Sequence, residues 1–134
     1  MDDHPDFHIG LDFDGTVVAH DGAFSTGEEL DGAVATLRWL TDVVGAKVSL
    51  FTMRSGKDLE EAVRWFSNRG IILYGVNHTP GQDKWTTSPK AYADLYIDDR
   101  GLGMPLDADL NVDWGKTREL IEAWLIDRGA DHGV

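Results

Sequence analysis

Apolar residues along this chain fall into short runs and helical stripes that alternate. The first run, from about Phe7, closes on Asp12-Phe13-Asp14-Gly15-Thr16 and reads as a buried strand ending in a glycine turn. Val17-Val18-Ala19-His20 with the turn Asp21-Gly22 predicts a small hairpin or flap. A helix is expected from Thr26, where Thr26 and Glu29 have capping-box spacing. Leu30, Ala33, Val34, Leu37, Leu40 and Val44 then form one apolar stripe, and Gly45 is a natural stop. Ala46 to Phe51 is a second dense apolar run ending at Thr52. Ser55 and Asp58 suggest a second capping box, and that helix continues through Leu59, Ala62, Val63 and Phe66 to Gly70. Ile71 to Tyr74 reads as a third strand, followed by a loop from Gly75 to Thr87. Ser88-Pro89-Lys90 has the look of a helix start, and Ala93 to Ile97 is a fourth strand ending in Asp98-Asp99. After a loop from Gly101 to Asn111, with a short strand around Met104–Leu106, Trp114, Leu120, Ile121, Trp124 and Leu125 mark a last helix ending at Gly129.

Strands that alternate with helices predict an α/β fold, a three-layer Rossmann-like, mostly parallel sheet with helices on both faces. A length of 134 residues fits a single domain over 1–134, with 1–6 and 130–134 as loose ends. The chain has no cysteine, which excludes disulfides and zinc–thiolate sites and fits a reducing cytoplasm. No signal-like segment opens the chain, and no apolar stretch approaches the roughly 20 residues that span a bilayer. A formal net charge of −12 argues against duplex nucleic acid or an anionic membrane as partner. A local cation can still draw an anionic substrate to such a chain.

The chemistry gathers at strand ends. Parallel strands place Asp12, Asp14, Thr52, Asp98 and Asp99 along one edge of the sheet, with Lys90 just before the fourth strand. Neighbouring carboxylates repel unless a proton or cation relieves them. Oxygen ligands select a hard divalent cation, with Mg²⁺ the usual choice when waters and a phosphate complete the shell. Lys90 adds a point charge for phosphate, and Thr52 with the amides of Ser55–Lys57 adds hydrogen bonds.

Asp12-Phe13-Asp14-Gly15-Thr16, Thr52, Lys90 and Asp98-Asp99, in that order, resemble the four motifs of the haloacid dehalogenase superfamily of aspartate-nucleophile phosphohydrolases. Thr52-Met53-Arg54-Ser55-Gly56 and the stretch from Ser88 to Asp99 are further similar to short bacterial and phage members. The resemblance implies an Mg²⁺-dependent phosphomonoesterase with an aspartyl-phosphate intermediate. Asp12 would be the nucleophile, Asp14 the acid and base, and Thr52 and Lys90 the groups on the transferring phosphoryl. Asp12, Asp98 and Asp99 would hold Mg²⁺, together with the backbone carbonyl of Asp14. Gly15 lets the backbone pass close to the site, and Arg54, Asn77 and Arg100 are candidate substrate contacts, as are His78, Lys84 and Trp85. His20 on the flap is a candidate for the leaving group. Neither interval that could hold a cap domain has room for one, so an open, capless site is expected. In this superfamily such sites suit bulky phosphorylated substrates, or homo-oligomers that cover one another's sites.

Other readings of the same residues fare less well. As an EF-hand loop, the stretch from Asp12 would need glycine where Val17 stands and glutamate where Ala23 stands. A two-component receiver orders its acidic pair, phosphoacceptor, hydroxyl and lysine differently. No G-x-x-x-x-G-K-[ST] phosphate loop is present. A non-catalytic or regulatory phosphate-binding protein on the same fold stays open, because fold does not fix function.

Overall fold

The computed structural model describes residues 7–22 and 24–131. Its strands are β1 (His8–Leu11), β2 (Lys47–Leu50), β3 (Gly75–Val76) and β4 (Leu95–Ile97). Its helices are α1 (Ala33–Trp39), continued by one π-helical turn over Leu40–Val44, then α2 (Gly56–Asn68) and α3 (Trp114–Asp131), with a one-turn 3₁₀ helix at Gln82–Lys84. The four strands form a parallel sheet in the order β3-β2-β1-β4. The chain therefore grows outward from β1 to β3, then returns to lie on β1's other side. That reversal leaves a crevice beyond the carboxyl ends of β1 and β4, where open α/β sheets bind ligands.

Register fixes which side chains meet. Leu11 pairs with Leu50 and with Ile97, and Ile9 with Val48 and Leu95. These residues share one core with Ala33, Leu37 and Leu40, with Ala62 and Phe66 of α2, and with Trp114 and Ile121 of α3. Alternate strand positions point the other way. There Gly10 leaves room for the rings of Phe51 and Tyr96, and His8 meets the edges of Tyr74 and Tyr92. The result is an α/β fold with a parallel sheet flanked by helices, compatible with a three-layer Rossmann-like arrangement. No cap domain is evident among the described residues. No described helix is long and apolar enough to cross a membrane.

Several expected element ends move. The first helix begins at Ala33, not Thr26, because 28–30 pairs with the flap instead: Ala19 donates to the Glu28 carbonyl (2.8 Å) and Leu30 to the Val17 carbonyl (2.9 Å). Strand pairing thus displaces the Thr26–Glu29 cap. Ser55 does sit at the N-cap of α2, but its side chain makes no capping hydrogen bond. The third strand lies at Gly75–Val76, after the expected Ile71–Tyr74, and Ile72 is exposed. No helix starts at Ser88. The Ser88 hydroxyl accepts the Lys90 N–H (3.2 Å) in a local turn, and 88–93 runs on without regular structure. α3 continues past Gly129 to Asp131. Residues 1–6 and 132–134 lie outside the described residues, as does Ala23.

Candidate active site

Asp12 is the last residue held by the sheet at β1, with its N–H on the Ile97 carbonyl (3.0 Å). The chain then turns sharply around the carbonyl of buried Phe13, which accepts from Thr16 (3.1 Å) and Val17 (2.9 Å). Gly15 makes that turn at φ +78°, and a Cβ there would run into His20 Nε2 and Asp99 Oδ2. Glycine is therefore required twice, for the backbone angle and for the space.

The turn delivers Thr16 to the centre of a carboxylate group. Its fully buried hydroxyl accepts the Asp99 N–H (3.0 Å) and has its proton within reach of Asp12 Oδ2 (3.0 Å) and Asp99 Oδ1 (3.3 Å). Its carbonyl accepts from Trp114 Nε1 (2.7 Å), which ties the turn to α3. On the flap, His20 Nε2 meets Asp99 Oδ2 at 2.8 Å. Oxygens of Asp12, Asp98 and Asp99 lie within 4.8 Å of one another, so these three carboxylates could hold a metal ion. Their mutual field shows in the acidities. Burial, then the Asp98 charge, pushes Asp12 up to about 7. Burial pushes Asp99 up too, but hydrogen bonds from His20, then Asp12 and Asp98, outweigh it and hold Asp99 below the usual carboxylate range.

Asp14 lies outside that group. Its two oxygens take a bidentate fork from Arg54, Nε to Oδ2 at 2.8 Å and Nη2 to Oδ1 at 2.7 Å. Arg54 is 1% exposed. It also donates to the Asp58 carbonyl (3.2 Å) and lies over the Phe13 ring, 4.9 Å from its centroid. The Asp14 hydrogen bonds hold Arg54 above its ordinary value. Arg54, expected as a substrate contact, is thus a buried partner of Asp14. The sequence offered a loop arginine and an aspartate 40 residues apart; only the fold reveals that they pair.

Thr52 follows β2. Its N–H donates to Asn77 Oδ1 (2.8 Å), and its hydroxyl accepts the Arg54 N–H (3.2 Å). Asn77 therefore braces Thr52, although it also borders the open space. Arg100 is exposed beside Asp98, whose Oδ1 accepts the Arg100 N–H (3.0 Å). Two cavities meet over Asp12, Thr52, Met53 and Asp98. The one of about 440 Å³ runs to the flap, past Asp14, His20, Phe24 and Arg100. The other, of about 380 Å³, runs to Lys90, Asn77 and Tyr96. Together they form one trough with Asp12 in its floor. His78, Lys84 and Trp85 border neither cavity: His78 Nδ1 is 2.9 Å from the Val76 carbonyl, and Trp85 packs its edge on Tyr92. Sequence reading included Thr16 in the first motif without a role for its hydroxyl and did not single out Gln82, because their bonds reach distant or irregular segments.

No family model matches the chain, and no curated protein does. A solved structure of a conserved protein from Bacteroides thetaiotaomicron is similar, with a TM-score of 0.74 and 36% identity over 89% of this chain and 92% of that one. The chain belongs to the family of that conserved protein.

Proposed function

We propose that this member of the Bacteroides protein's family is an Mg²⁺-dependent phosphohydrolase of the haloacid dehalogenase type, acting on phosphate monoesters in an open, capless site. One observation carries the reading. Asp12, Asp98 and Asp99 converge at the crevice between β1 and β4, and Thr52 and Lys90 border the same trough.

Asp12, Asp98 and Asp99, with the Asp14 backbone carbonyl, would hold Mg²⁺, which relieves their repulsion and neutralises phosphoryl oxygens when bound. The donors are all oxygens, and burial, then the Asp98 charge, raises the Asp12 pKa, so a cation beside these carboxylates would favour their ionised form. In the first step an Asp12 oxygen attacks phosphorus, the ester phosphorus–oxygen bond breaks, and the leaving oxygen takes a proton from Asp14. In the second, water attacks the aspartyl-phosphate, gives its proton to Asp14, and the Asp12–phosphorus bond breaks to release phosphate. Thr52 donates to the transferring group, and Lys90 balances its charge. A phosphorylated substrate of bulky class, a cytoplasmic setting and a homo-oligomer that shields the trough belong to the same reading.

The Arg54 fork favours a second reading, a non-catalytic phosphate-binding protein. Both Asp14 oxygens are engaged, so a proton on Asp14 must sit beside a fixed guanidinium. Release of p-nitrophenol from p-nitrophenyl phosphate decides between them. Turnover that needs Mg²⁺ and is lost in Asp12→Asn is expected. Equal rates in both proteins remove Asp12 as nucleophile, and phosphate binding without turnover on a broad ester panel favours the second reading.

A further inference from the structure

Lys90 reaches the trough on a segment with no helix or strand of its own, so main-chain ladders do not hold it in place. Side chains do. The Gln82 amide nitrogen donates to the carbonyls of Lys90 (2.6 Å) and Ser88 (3.3 Å), and its Oε1 accepts the Tyr92 N–H (2.7 Å). One amide thus bonds the backbone on both sides of Lys90 and at Lys90 itself. Two further side chains hold the rest of this strap. The Tyr96 hydroxyl donates to the Ala91 carbonyl (2.6 Å) and accepts the Ala93 N–H (3.1 Å), and the Thr79 hydroxyl donates to the Tyr92 carbonyl (2.7 Å). Of these three, only Gln82 bonds Lys90.

Gln82 is itself anchored. It opens the 3₁₀ turn, where its N–H donates to the Thr79 carbonyl (3.2 Å) and its carbonyl accepts from Trp85 and Thr86 (both 3.1 Å). An amide suits the task because it offers donor and acceptor without charge. A carboxylate there would repel the two carbonyls and draw the Lys90 ammonium toward itself. With the amide, Lys90 has no ion-pair partner among the described residues, and its Nζ lies 5.6 Å from the Tyr96 ring centroid.

We propose that Gln82 is the positioning residue for Lys90: it fixes the strap so that an unneutralised ammonium faces the phosphoryl group beside Asp12. The role in turnover rests on the phosphohydrolase reading above.

The test is a double-mutant cycle on p-nitrophenyl phosphate with Mg²⁺, using Gln82→Ala, Lys90→Met and the pair. Loss of alignment by one ångström costs up to about 100-fold in rate, so Gln82→Ala is expected to lose roughly tenfold or more in kcat. It should lose nothing further in the Lys90→Met background. Gln82→Glu keeps the acceptor for Tyr92 but loses the donor, so it should show the same loss while still folded. Trypsin cleavage at the Lys90–Ala91 bond gives a readout independent of activity, and it should accelerate in Gln82→Ala at unchanged Tm. Wild-type kcat in both Gln82 variants, or an equal loss in both backgrounds, overturns the proposal. If the wild type hydrolyses no phosphate ester, the phosphohydrolase reading falls by itself. The strap is then judged by trypsin, and unchanged cleavage in Gln82→Ala overturns it.

Discussion

The two walls of the trough are built by different means. On the flap side, charged groups hold one another: Arg54 grips Asp14, and Thr16 and His20 grip Asp99. On the strap side, neutral groups hold the backbone, and Lys90 stands exposed. The first wall couples its charges to folding, because buried ions are costly unless each has its partner. The second leaves its cation with little bearing on the core. Stability and chemistry should therefore separate on the strap and stay entangled on the flap.

The sharpest way to break this contrast is Arg54→Met. It leaves Asp14 partly buried without its fork, and removing one partner of a buried pair costs about 3–5 kcal/mol. Urea unfolding should show a loss of that order. Arg54→Lys should recover only part of it, since an ammonium cannot reproduce the bidentate geometry. A loss below about 1 kcal/mol for Arg54→Met would place the flap wall on the same footing as surface pairs.

Next in size is the dependence on pH and metal. The Asp12 carboxyl, at about 7 against an ordinary 3.8, binds more protons folded than unfolded between those values. Metal-free stability is then fully present below about 4 and falls as pH rises toward about 7, by an amount on the order of a few kcal/mol at ~1.4 kcal/mol per pK unit. Asp99, held below its ordinary value, acts in the opposite sense only below about 4, outside the Asp12 window. Thermal unfolding in EDTA across pH 5–8 checks the direction. Added Mg²⁺ should raise Tm most at the alkaline end, where the carboxylates are all ionised. A Tm in EDTA that rises between pH 5 and 7 contradicts the assignment.

Thr16→Val should have a smaller effect. It removes the hydroxyl that accepts from Asp99 and faces Asp12, at about 1–3 kcal/mol for a buried partner left unsatisfied. Urea unfolding measures it. If Thr16→Val matches the wild type, the hydroxyl does not organise the carboxylates.

These differences also explain what could be read from the sequence. Asp12, Asp14, Thr52 and Asp98 end the apolar runs of β1, β2 and β4, and the runs alone set their positions. The parallel sheet follows from the same alternation, and the flap and the absence of a cap among the described residues from the short intervals between the motifs, whereas the order β3-β2-β1-β4 is visible only in the fold. Charge identity misled at Arg54: a loop arginine reads as solvated, and only its bidentate partner explains its burial. Local cap signals misled where long-range pairing prevailed, as at Thr26–Glu29. Ser88-Pro89-Lys90 carried a helix start with no apolar stripe behind it, and Ala91-Tyr92-Ala93-Asp94 supplies none. The strap depends on Gln82, Thr79 and Tyr96, whose bonds follow no period that a sequence pattern could display.

The smallest expected effect is the most discriminating. Lys90→Met exchanges an exposed ammonium for an apolar group of similar length, and surface substitutions of this kind usually stay within about 0.5 kcal/mol. Its urea midpoint should therefore overlap that of the wild type, while turnover of p-nitrophenyl phosphate falls. The same comparison on the other wall gives the opposite pairing, because Arg54→Met loses stability before any effect on turnover can be read. A Lys90→Met protein destabilised by more than about 1 kcal/mol would mean that the ammonium supports the Tyr96 ring and the strap packed on it. Lys90 would then serve the fold, and the trough would lose from its chemistry a cation that borders the same cavity as Asp12 and has no carboxylate partner among the described residues. Unchanged stability with lost turnover instead assigns Lys90 to chemistry alone, the division of labour that the two walls imply.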